Sequence, residues 1–103
     1  MTTLRLLRKQ QNFVGFRCEG HSGYAEEGED IVCAAISSIT QFCICCAEEL
    51  DVPITYRVDE AFLECSVSRP DSTFSGLLSA LNKSVTQLQE EYPEHISLEI
   101  MEV

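Results

Sequence analysis

His21 and Cys33 are the two residues in this chain whose side chains could perform nucleophilic chemistry together. They bracket the stretch GHSGYAEEGEDIVCAAIS, residues 20–37. A thiolate attacks a carbonyl carbon. An imidazole within reach takes the thiol proton and later returns it to a leaving group. Acyl transfer by such a pair also needs amide donors aimed at the developing oxyanion. The intervening segment, Ser22, Gly23, Tyr24, Ala25, Glu26, Glu27, Gly28 and Glu29, has glycines and acids but no apolar periodicity. It reads as a flexible loop, one that could fold back to bring the histidine to the cysteine.

The position of Cys33 follows from the helix that must carry it. Val32, Ala35, Ile36, Ile39, Cys43, Cys46 and Leu50 recur at spacings of three and four, an apolar helical stripe. Asp30 suits the N-cap, since its carboxylate accepts from a first-turn amide. Cys33 is then the third helical residue, where unpaired amides and the helix dipole favour a negative charge and therefore a thiolate. It lies off the main stripe, with Ser37 one turn further along the same face.

The other candidates read more simply as structure. Cys43, Cys45 and Cys46 form CICC in mid-helix, so they point in different directions, and no second ligand pair at finger-like spacing follows. No metal and no organic cofactor is implied. Cys18 and Cys65 fall on alternating strand positions and are expected in a sheet face. His95, beside Pro93 and Glu94, is expected as a solvated turn residue.

The remaining elements follow the same logic. Residues 3–9 and 13–19 read as strands joined by a turn at Lys9 to Asn12, with Val14, Phe16 and Cys18 on one side. Pro53 ends the first helix. Residues 54–58 and 62–67 read as two strands meeting around Asp59 and Glu60. Phe74, Leu77, Leu78, Leu81, Val85 and Leu88 stripe a second helix, Pro93 closes it, and residues 96–103 alternate as a last strand. The order ββαββαβ predicts an α+β fold, a two-layer sandwich of two helices on a mostly antiparallel sheet with its other face wet. The 103 residues suit one domain, 1–103.

Composition narrows the function. The net charge is -10, from 17 acidic residues against 7 Lys and Arg. That argues against direct nucleic-acid binding, which depends on phosphate neutralisation. It is compatible with a basic partner or substrate, which such a field would attract, and equally with solubility alone. No apolar run is expected to reach membrane-span length, and the N-terminus lacks the apolar core of a signal peptide. The expected location is the cytoplasm, with six free thiols.

The 20–37 stretch closely resembles the signature of the ribosomal-processing cysteine protease family, Prp: Gly-His, a loop of about ten residues, then Asp-Ile-Val-Cys-Ala-Ala, an aliphatic residue and Ser. The resemblance covers essentially the whole chain. It implies a dimeric cytoplasmic protease of the kind found in Firmicutes and related bacteria. Such enzymes remove the N-terminal extension of large-ribosomal-subunit protein twenty-seven, cutting after a pair of aromatic residues. By the resemblance the catalytic histidine is His21 and the nucleophile Cys33, with Gly20, Asp30 and Ser37 supporting them. The loop 22–29 becomes a gate for the substrate. Ser22 departs from the family's frequent Ala, at a place expected not to touch the dyad. Two other readings stay open: a non-catalytic ribosome-associated adaptor using the acidic face, and a thiol redox sensor. The sensor lacks a resolving cysteine on the same helix face.

Overall fold

The first hairpin turns on two glutamines. Gln10 (φ 50°) and Gln11 (φ 73°) both take the left-handed conformation, which matches the twist of the flanking strands and is usually given to Asn or Gly. The computed structural model describes residues 1–26 and 29–103. In it β1 (Thr2–Lys9), β2 (Asn12–Glu19), α1 (Ile31–Glu49), β3 (Ile54–Asp59), β4 (Phe62–Val67), α2 (Ser72–Glu91) and β5 (Ile96–Glu102) follow in that order. The five strands form one sheet, β3-β4-β2-β1-β5. All neighbours are antiparallel except β1 and β5, which run parallel from Thr2 opposite Ile96 to Arg8 opposite Glu102. The expected α+β order and mostly antiparallel sheet are therefore present.

One sheet face is dry. Leu4 faces Cys18 and Leu6 faces Phe16 across β1 and β2, and the rows continue to Leu63 and Cys65 on β4. These side chains pack with Val32, Ile36, Ile44 and Ala47 of α1 and with Phe74, Leu78, Leu81 and Val85 of α2. The other face carries Arg5 between Glu19 and Glu99 and Arg17 against Glu64 at 3.0 Å, while Arg8 pairs with Glu102 at the exposed end of β1. Such half-exposed pairs fix register more than they stabilise. A bulge between Leu7 and Arg8 shifts the pairing, with Leu7 opposite Gly15 but Arg8 opposite Phe13. It places Phe13, rather than the expected Val14, against the core.

The helices begin as their sequences direct. Asp30 caps α1, accepting from Cys33 N at 2.9 Å, and Asp71 caps α2, accepting from Phe74 N at 2.9 Å. The buried face of α1 differs from the expected stripe. Thr40, Ile44 and Ala47 are buried, Ala35 and Cys46 are only half-buried, and Leu50 is 57% exposed. Thr40 can enter the core because its hydroxyl donates to Ile36 O at 2.9 Å. Against the expectation for apolar runs, α1 is by length and composition apolar enough to cross a membrane. Its inner face lies in the core on α2 and the sheet.

Candidate active site

The site is built where β2 ends and α1 begins. Gly20, with φ +93°, turns the chain off β2. A Cβ there would stand 2.5 Å from the Met1 carbonyl oxygen, so both the conformation and the space demand glycine. The Gly20 amide donates to Ala61 O at 2.9 Å, and the Thr2 hydroxyl donates to Gly20 O at 3.4 Å. The residue before His21 is thus held between β1 and the β3–β4 turn.

Ser22, the residue after His21, is held more firmly. It is 2% exposed, and its three polar groups are all engaged. Its amide donates to Cys33 Sγ at 3.2 Å. Its hydroxyl hydrogen-bonds the Asp30 Oδ2 and accepts from Tyr24 N at 3.2 Å. Its carbonyl meets His95 Nδ1 at 3.0 Å. Ser22, expected not to touch the dyad, does so through its main-chain amide, which hydrogen-bonds the Cys33 sulfur, while its side chain reaches Asp30. His95, expected as a solvated turn residue, is half-buried over the loop.

Asp30 does more than cap the helix. Besides the Cys33 amide on Oδ1, its Oδ2 takes the Ser22 hydroxyl, Tyr24 N at 3.2 Å and Ala25 N at 3.4 Å. Burial alone would raise its pKa. The hydrogen bonds from Ser22 and from the Cys33 and Ala25 amides outweigh it, so the carboxyl is held at about 2. The loop is also docked through Tyr24, whose ring meets Tyr92 at 5.4 Å and His95 at 5.5 Å, both edge-on. Glu29 N donates to Glu26 O at 3.0 Å. Glu27 and Gly28, assigned to the same loop, lie outside the described residues.

Cys33 is the third residue of α1, half-buried, where the sequence puts it. It sits at the divide between two grooves that share Gly20, Ser37 and Ala61. One groove is continued by Cys18, Gln41, Val58 and Phe62, the other by His21, Gly23 and Ala34. His21 itself is exposed. Among the described residues no hydrogen bond joins His21 to Cys33, or the Ser37 hydroxyl to either. The support expected from Ser37 is therefore confined to lining both grooves.

The remaining thiols are distinguished by burial. It pushes Cys18, Cys43 and Cys65 each up to about 11, with Cys33 itself adding to the rise at Cys18. Cys18 lines a groove with Cys33 from β2, a neighbour that reading the helix face alone overlooked. Its raised pKa makes it a poor resolving thiol near neutral pH. Among the described residues no three His, Cys, Asp or Glu side chains converge as metal ligands would.

Comparison with known proteins finds the same fold elsewhere. SMU.848 from Streptococcus mutans, known from a crystal structure, is 27% identical. The match covers 100% of this chain and 96% of that one, with a TM-score of 0.86. The essential ribosomal processing protease Prp from S. aureus shares the fold in two crystal structures. One, with a covalently linked product peptide, is 23% identical over 97% of this chain and 99% of that one, TM-score 0.89. The other, with a substrate peptide, is 22% identical over the same shares, TM-score 0.83. No match was found among curated proteins. The family model described as cysteine protease Prp matches residues 1–97. The chain belongs to the Prp family of cysteine proteases.

Proposed function

We propose that the chain is an endopeptidase that removes the N-terminal extension of large-ribosomal-subunit protein twenty-seven, cutting after a pair of aromatic residues, with Cys33 as nucleophile and His21 as its base. The observation that carries this is the setting of Cys33: a helix-start thiol between two grooves, with the Ser22 amide 3.2 Å from its sulfur and His21 on the same groove. His21 takes the thiol proton as the sulfur bonds to the scissile carbonyl carbon. It then protonates the leaving amine as the C–N bond breaks, and water cleaves the thioester with His21 again as base. The Ser22 N–H is a donor already beside the place where the oxyanion forms. His21 is exposed and lines one groove with Cys33, and the reaction requires its ring to swing toward the sulfur. The loop 22–29 acts as the gate, because the bonds that close its described part converge on Asp30 and His95 and can be released together.

The charge fits the substrate, since a ribosomal protein is basic and this chain carries -10. The same reading places the enzyme in the cytoplasm, where ribosomes are assembled. The test is incubation with the intact precursor of that ribosomal protein, followed by mass spectrometry. The expected product is shortened at a bond after two aromatic residues. A precursor that stays intact under reducing conditions while remaining bound would turn the reading toward the adaptor.

The protein is further proposed to work as a homodimer. Ile31 and Phe42 on α1, 56% and 67% exposed, and Tyr56 and Val58 on β3 are large apolar side chains left in solvent. Light scattering at micromolar concentration is expected to give twice the monomer mass, and the monomer mass would defeat the proposal.

A further inference from the structure

Two anchors hold the backbone on either side of His21, and they come from different parts of the fold. Gly20 is fixed by Thr2 and Ala61. Ser22 is fixed by Asp30, Cys33 and His95. The His95 bond is the only one of these made by a side chain outside the β2–α1 segment to Ser22. It spans 73 residues in sequence. The acceptor is a carbonyl oxygen, so His95 Nδ1 must carry the proton and donate it. His95 is itself fixed: its own carbonyl accepts from Thr2 N at 3.0 Å and its amide donates to Tyr92 O at 3.0 Å. The imidazole is therefore a rigid arm reaching from the α2–β5 junction to the residue that follows the proposed base.

We infer that His95 is a positioning residue for the proposed protease: its Nδ1–H holds the Ser22 carbonyl, and with it the Ser22 amide on the Cys33 sulfur and the main chain that carries His21. The inference rests on the reading of His21 and Cys33 as the working pair. It assigns a role in the reaction to a residue outside the 20–37 stretch. Losing the donor leaves the fold and the peptide grooves in place, because His95 lines neither groove. It frees the Ser22 peptide group to drift, and displacements of about 1 Å at a reacting group cost up to roughly 100-fold in rate.

Two substitutions in the full-length chain separate donor from packing. His95→Asn keeps an N–H at nearly the same place and loses the ring that meets Tyr24. His95→Phe keeps a ring and loses the donor. Cleavage of a precursor peptide is measured as kcat and KM, and exchange of the Ser22 amide is measured alongside. His95→Phe is expected to lower kcat roughly 10- to 100-fold with KM changed less than about twofold, and to speed Ser22 exchange at least tenfold. His95→Asn is expected to stay within about threefold of the parent in both. Equal loss in the two variants, loss in His95→Asn alone, or no loss in either overturns the inference. If the parent itself fails to cleave, the proposed reaction falls. The exchange measurement still decides the tether, since unchanged Ser22 exchange in His95→Phe would refute it independently.

Discussion

Cys33→Ser is expected to lose at least ~10³-fold in cleavage of the precursor, and His21→Ala about as much. Serine keeps the shape of the helix start but offers a hydroxyl of far higher pKa, which a lone imidazole activates poorly in a site built around a thiol. Removing His21 takes away the proposed base, which lines the same groove. The double variant is expected to be scarcely worse than either single one, because two groups that pass one proton fail together. Peptide binding followed by fluorescence anisotropy should survive in Cys33→Ser, as the hydroxyl neither fills nor blocks the grooves. Full cleavage by Cys33→Ser would end the assignment of the nucleophile. Additive losses would show that the two residues act separately.

Asp30→Ala is expected to be the most damaging change outside Cys33 and His21 themselves. A lost N-cap alone costs about 1 kcal/mol. Here the same carboxylate also takes the Ser22 hydroxyl and two loop amides, Tyr24 and Ala25, and bonds to charged acceptors count for more than neutral ones. A loss of roughly 2–4 kcal/mol in urea unfolding is expected, with faster exchange of the Tyr24 and Ala25 amides and a large fall in activity. Asp30→Asn should fall between, since its amide group faces donors where an acceptor is needed. The pH dependence follows from the depressed pKa. The carboxyl is ionised in the folded state down to about 2, but in the unfolded chain it protonates near 3.8. Its contribution is therefore complete above about pH 4 and is lost as pH falls toward 2. Asp30→Asn should remove that component of acid destabilisation. An acid-side profile unchanged by Asp30→Asn would contradict the hydrogen-bonding account of the carboxylate.

The legible parts of this molecule were those governed by neighbours in sequence. A cap and the third helical residue lie within one turn, so Asp30 and Cys33 declare each other. Alternation in strands and stripes in helices gave the element order for the same reason. Three features escaped. The bulge opposite Leu7 exchanges Phe13 for Val14 against the core, and an inserted residue breaks the period on which the reading depends. Thr40 is buried because its hydroxyl is satisfied by its own helix, a bond that hydropathy does not register. The contact of His95 with Ser22 depends on a parallel pairing between the first strand and the last, and no local pattern encodes it. In the site, Ser22 stood next to the right residue. Its bonds to Asp30, Cys33 and His95 become visible only once those residues are placed around it.

That parallel pairing also sets an order of events during translation. β1 lies inside the sheet, yet one of its two neighbours, β5, follows the other described elements in the chain and is made after them. Until then β1 keeps an unsatisfied edge, a state prone to wrong pairing and slow to resolve. Arg5 waits for Glu99, the Thr2 amide for the His95 carbonyl, and the Ser22 carbonyl for the His95 ring. A growing chain therefore has its helix-start thiol long before it has the frame that aims it. The frame around the thiol is therefore complete only once β5 has paired with β1 and His95 has reached Ser22.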